Sequence, residues 1–168
     1  MEVLQRTANR GSISTGTGYN IGNSLKLERA NSEYLSRTPS SSGNQQIFTF
    51  SSWVKFSHIN SGLSEWSTLF SAGDYAANSP TFRIGHHTNN SLQVSFYTNS
   101  EYTGYYRTDA LHRDTAAWYH FVCAVDTTQG TNTNRVKIYV NGVLAPTTSV
   151  VSHVAQNYNS GVNTGIAH

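Results

Sequence analysis

The chain has 168 residues, a net charge of +2 and 12% charged residues, about half the usual share of roughly 25%. That length suits one sizeable core with extensions rather than two cores. The positive charge is thinly scattered, with no Lys/Arg run to track a phosphate backbone, which excludes a nucleic-acid partner; no stretch approaches the roughly 20 apolar residues of a membrane span.

Ser, Thr, Asn and Gly carry the polarity, and the 12% aromatic content can furnish a core. Residues 1–22 differ from the rest. Met1 to Arg10 reads as a short helix, and Gly11, Gly16, Gly18 and Gly22 then punctuate a Ser/Thr stretch. No apolar signal region opens the chain. The segment is either a frayed terminus or an arm that orders only against a partner. As an assembly arm it would grip through Val3, Leu4, Arg6, Arg10, Tyr19 and Ile21.

The domain is expected over residues 23–168, beginning with a short strand through Leu25 and Leu27. Phe48, Phe50, Val54 and Phe56 share one face of the next strand, with Trp53 pointing the other way. Thr68 to Ala72 forms a third strand ending at Gly73-Asp74. Phe82 and Ile84 pair with Leu92, Val94 and Phe96 across a hairpin link of residues 87–91. Tyr102, Thr103, Gly104, Tyr105 and Tyr106 read as an aromatic cluster near a loop. The run from Trp118 to Val125 is apolar on both faces and so reads as a central strand. Val136, Ile138 and Val140 then alternate with polar residues up to Asn141-Gly142. That dipeptide tolerates the positive φ angles of a type I′ hairpin turn into Val143-Leu144-Ala145. Short strands joined by turns, with no helix of consequence, give an all-β, two-layer antiparallel β-sandwich or jelly roll behind an extended N-terminal arm.

Three segments carry a family resemblance: residues 48–55 (FTFSSWVK), 117–126 (AWYHFVCAVD) and 134–142 (NRVKIYVNG). Together they resemble the laminin-G-like, concanavalin-A-like jelly roll. A second set covers residues 18–25, 34–39, 113–120 and 126–129, and is similar to virion proteins of tailed phages, notably those of marine cyanobacteria and other aquatic bacteria. The resemblance implies a structural component of the tail, a fibre or adaptor, or a capsid decoration. It implies other virion proteins as partners, a homo-oligomer of the trimeric kind, and a place on the particle surface. Such modules continue past a segment like Gly165-Ile166-Ala167-His168 into a last pair of strands. The expectation is therefore a longer protein, or strands supplied from elsewhere, with an open sandwich edge that invites pairing.

The same resemblance raises two further chemistries. A glucanase on this fold carries two or three carboxylates on one strand, and here every Glu and Asp is isolated, so no catalytic residue is assigned and a hydrolase is the poorest reading. A host-surface glycan-binding module is the better alternative. Its stacking platform would use Trp66, Tyr75, Tyr102, Tyr105 and Tyr106, which equally suit edge covering or packing on a neighbouring subunit. His86 and His87 point to opposite faces of a strand and suit no shared ion, and His120 reads as a packed or hydrogen-bonded sheet histidine. Asp74 and Asn78 are too few for a calcium cage. Cys123 lies in an apolar run and reads as a buried small hydrophobe. Neither a metal nor a cofactor is expected.

Overall fold

Residues 47–54 alternate in burial because their sequence alternates in polarity, whereas residues 91–97 are buried on both faces. The computed structural model describes residues 25–28, 31–59, 66–74, 79–148, 152–165 and 168. The strands are β1 (Ile47–Val54), β2 (Ser67–Ala72), β3 (Thr81–His86), β4 (Ser91–Thr98), β5 (Glu101–Leu111), β6 (Tyr119–Asp126), β7 (Val136–Val140) and β8 (Val143–Leu144). All neighbouring pairs are antiparallel. One sheet has the order β1-β6-β7-β8 and the other β2-β3-β4-β5. A 3-10 turn lies at Asn132–Asn134. The expected two-layer sandwich is present.

The two sheets meet over an apolar layer. β1 contributes Phe48, Phe50 and Val54, β6 contributes Phe121, Cys123 and Val125, and β7 contributes Val136 and Ile138. Facing them are Phe82, Ile84, Leu92, Val94, Phe96 and Tyr106. Ring edges interlock: Phe48 meets Phe82 across the gap at 5.1 Å, and Phe82 meets Phe96 within its own sheet at 5.2 Å, both edge to face. These are the preferred aromatic geometries, and they add to the area burial. The expected β3–β4 pairing holds, with Phe82 opposite Phe96 and Ile84 opposite Val94. The Asn141-Gly142 turn carries φ of 51° and 81°, the two positive values a type I′ turn needs.

The strand expected through Leu25 and Leu27 is not there. Residues 25–28 have no regular structure and both leucines are exposed. Alternation makes a strand only where a neighbouring strand accepts its hydrogen bonds. The chain divides into two compact units, residues 1–35 and 36–168. In the first, the Glu33 carboxylate accepts from the Glu28 N–H at 2.7 Å and from Asn31 at 3.1 Å, closing a local turn.

Candidate interaction surface

The four sheet edges differ sharply. β8 is only two residues long. β2 shifts register between Thr68 and Phe70, and at its end Gly161 sits so close that an added Cβ would meet the Ala72 carbonyl at 2.6 Å. β5 is covered along its length: Tyr105 N–H donates to the Ser152 carbonyl at 3.0 Å and Asp109 N–H to the Pro146 carbonyl at 3.0 Å. The Asp109 carboxylate also accepts from the Thr148 N–H and hydroxyl at 2.9 and 2.7 Å. Short, bulged and covered edges are the usual ways of preventing strand addition.

β1 has none of these guards. It is eight residues long, pairs with β6 without a bulge, and contains neither proline nor charge. The Thr127 N–H donates to the Gln46 carbonyl at 3.0 Å. With Ile47 opposite Asp126, this fixes the phase of the ladder: even-numbered residues of β1 bond to β6. Thr49, Ser51 and Trp53 therefore aim their N–H and C=O groups outward, no strand lies beyond them among the described residues, and the Trp53 carbonyl accepts from the Ser52 hydroxyl at 3.4 Å. The Ile47 N–H, by contrast, is taken by the Asn44 side-chain oxygen at 2.9 Å.

The side chains above this edge are also unusual. Trp53 points outward and is 54% exposed. One face of its ring stacks on His120 at 4.9 Å with 19° between planes. His120 Nε2 lies 3.0 Å from the Ser51 hydroxyl, and the His120 N–H donates to the Asn141 side chain at 2.8 Å. His120 is thus the packed, hydrogen-bonded sheet histidine expected. Trp118, 50% exposed, leads into β6. Ser51, Val122, Tyr139 and Leu144 continue the outer face across the sheet in one register.

The aromatic residues expected to form a sugar platform are dispersed by the structure. The segment around Tyr102 is not a loop but the start of β5. Tyr106 enters the core, where its hydroxyl accepts from the Val154 N–H at 3.0 Å and burial raises its pKa. Tyr105 is buried too, 5.8 Å under the Arg107 guanidinium. Trp66 is half-buried with Arg83 6.0 Å from its ring. Tyr102 alone of the described rings in this set is exposed, at 48%, and packs on Tyr97 at 4.5 Å. Tyr75 lies outside the described residues, as do Asn78 and the arm residues Val3, Leu4, Arg6, Arg10, Tyr19 and Ile21. Trp53 and Trp118 were not singled out as ligand-facing from sequence. The outward phase of Trp53 in its strand was the available signal.

Titratable groups are bound into local structure. Asp126 accepts from the Thr128 hydroxyl at 2.6 Å and from Gln129 at 2.6 Å, and these bonds lower its pKa. Asp109 is lowered by the Thr148 N–H and hydroxyl. Asp114 caps the Ala116 N–H at 2.8 Å. Two histidines are buried near the C-terminal end of β1. His86 stacks on Phe56 at 4.0 Å, and His112 lies between Tyr119 and Phe121 at 5.2 and 5.1 Å. Burial pushes His86 down, and pushes His112 down to about 4. Among the described residues no three His, Cys, Asp or Glu side chains are grouped to hold a metal ion.

Two facing four-stranded antiparallel sheets around one apolar layer make a β-sandwich of the jelly-roll kind. Residues 29–167 match the laminin G model described as the concanavalin A-like lectin/glucanases superfamily, and the chain belongs to that superfamily. Among solved structures it is similar to the native heptameric SAP-like pentraxin from Limulus polyphemus, at 15% identity and a TM-score of 0.43. That match covers 77% of this chain and 51% of the pentraxin, so the chain spans about half the length of that relative. No curated protein matches the sequence.

Proposed function

We propose that the protein is a non-enzymatic structural component of a tailed-phage virion, a tail fibre or adaptor or a capsid decoration. In this reading the sandwich is an assembly module displayed on the particle surface, and the segment before Gly22 is its anchor. The observation that carries the assembly role is the pair of exposed rings, Trp53 on the uncharged strand β1 and Trp118 at the start of its neighbour. The phage setting rests on the sequence resemblance. A non-enzymatic role is supported by the carboxylates Asp109, Asp114 and Asp126, each engaged in a turn or loop rather than paired across a cleft. Antibody labelling of intact particles under the electron microscope tests the reading. Label on head or tail is expected, and its absence from every particle would end it.

Exposed rings favour a second reading, host-glycan recognition. Trp118 and Tyr102 keep about half their surfaces free, at 50% and 48%, and could stack on sugar rings. Under that reading Trp118→Ala or Tyr102→Ala weakens host adsorption while the melting curve stays unchanged. Full adsorption by both variants would remove it.

A further inference from the structure

The chain crosses from β5 to β6 through residues 112–118, and one buried side chain pins this crossing. Between Leu111 and Tyr119 that side chain is His112; Arg113, Asp114, Thr115, Ala116 and Trp118 are exposed and Ala117 is half-buried. The His112 ring meets Tyr119 at 5.2 Å and Phe121 at 5.1 Å, both edge to face. Its backbone N–H donates to the Asn90 carbonyl at 2.6 Å. A second tie runs from the Asp114 N–H to the Tyr119 hydroxyl at 3.2 Å. The turn that follows closes on itself, with Asp114 accepting from the Ala116 and Ala117 N–H groups.

We propose that residues 112–118 are an acid-released strap: a proton on the His112 ring frees the strap from the sandwich while the two sheets stay folded. Trp118, one of the two exposed rings, leaves its place with the strap, so the device regulates the ring pair; that regulatory role rests on the assembly reading. The surroundings of the ring suit a neutral imidazole. The titratable groups that face it are Tyr119 from β6 and His86 from β3. β5 offers the Thr108 hydroxyl 3.5 Å from Nε2, which already donates to the Ala110 carbonyl and accepts from the Leu92 N–H. The β3–β4 turn offers the Asn90 carbonyl, which the His112 backbone takes. As the pH falls, His86, with His58 and His87 around it, adds positive charge instead of offsetting it. A charge on His112 is therefore buried at high cost, and hydrating it requires the ring to leave. Leaving is local. It breaks the ties to Asn90 and Tyr119, while the β5 ladder ends before the strap at Leu111 and the β6 ladder begins after it at Tyr119.

The test follows amide exchange by NMR in the full chain from about pH 7.5 to about pH 4.5, corrected for the intrinsic pH dependence of exchange. The His112 and Asp114 amides should lose protection more than about tenfold, with the Trp118 indole signal shifting in step, while the Phe96 and Cys123 amides keep theirs. His112→Gln cannot titrate and should show no pH response at the strap amides. Should that variant fail to fold, Tyr119→Phe decides. It deletes the acceptor of the Asp114 N–H and leaves His112 in place, so release should move up by about half to one pH unit. Four results overturn the proposal: strap and core amides losing protection together, strap amides protected throughout, a response that persists in His112→Gln, or an unmoved release in Tyr119→Phe. Release as expected in a protein whose antibody labels no particle would leave the strap standing and remove only the assembly reading.

Discussion

Lowering the pH from about 7.5 to about 4.5 is expected to remove about 2–3 kcal/mol of stability through His112 alone. The side chain is buried against Tyr119 and Phe121, with the Thr108 hydroxyl 3.5 Å from its Nε2 and His86 as its charged neighbour once protonated. No carboxylate is among the groups that set its pKa. Burial holds the folded value at about 4 against an ordinary 6.5. Between these values the unfolded chain binds a proton that the folded chain does not. Stability is therefore full above about 6.5 and falls as the pH drops toward 4. At about 1.36 kcal/mol per pH unit the whole gap is worth about 3 kcal/mol, most of it spent by pH 4.5. His86, also pushed down by burial and facing His58 and His87, adds loss in the same direction. Urea titrations of the wild type and His112→Gln at the two pH values isolate the effect, because the glutamine cannot titrate. The wild type should lose about 2–3 kcal/mol more than the variant over that interval. Parallel losses in the two proteins would mean that His112 is not held neutral by the fold.

Cys123 is fully enclosed, and burial pushes its thiol up to about 12, so it should resist a thiol reagent in the native protein and react at once in denaturant. Tyr106→Phe strands the buried Val154 N–H and should cost about 1–3 kcal/mol in urea denaturation, whereas exposed Tyr102→Ala should cost less than about 1 kcal/mol. Gly104→Ala would place a Cβ 3.0 Å from both the Phe96 ring and the Val154 Cβ, so its melting point should fall while Gly130→Ala, with open space around it, stays near wild type.

Most of the sandwich was legible because its signals are local. Alternation located β1, β3, β4, β6 and β7, and Asn141-Gly142 marked the last hairpin, since a type I′ turn needs two residues at positive φ. The start of β5 was misread for a physical reason. Thr103 is an extra residue in a bulge, because Tyr97 pairs with Tyr102 while Phe96 pairs with Gly104. The bulge breaks the period of two, and Gly104, normally a turn marker, sits in the strand because Phe96 and Val154 leave no room for a side chain. The burial of Tyr105 and Tyr106 followed from that placement. The reverse error came at Leu25 and Leu27, where alternation exists without a partner strand. Hairpin neighbours and the central place of β6 were legible, but the long-range order was not: β1 pairs with β6, whose residues lie far along the chain, and local pattern carries no information about such a pairing.

The low charge of the sequence bears on which edge is left open. Proteins commonly guard an edge with lysine or glutamate, but only 12% of this chain is charged. The guards that exist are mostly made of backbone: a two-residue strand at β8, a register shift at β2, and the carbonyls of Pro146 and Ser152 laid along β5. β1 receives no equivalent. Lys55, the nearest charge, falls just after the strand ends, and the residues facing outward at its centre are small Thr49 and Ser51. Small side chains let another backbone approach, and Trp53 beside them supplies apolar surface to a partner. With roughly 100 Å² of that ring still exposed, covering it contributes about 2.5 kcal/mol at about 25 cal/mol per Å², comparable to two or three cross-strand hydrogen bonds. Among the described residues β1 is thus the edge strand that combines length, an unbroken register with its neighbour, no charge and an exposed ring.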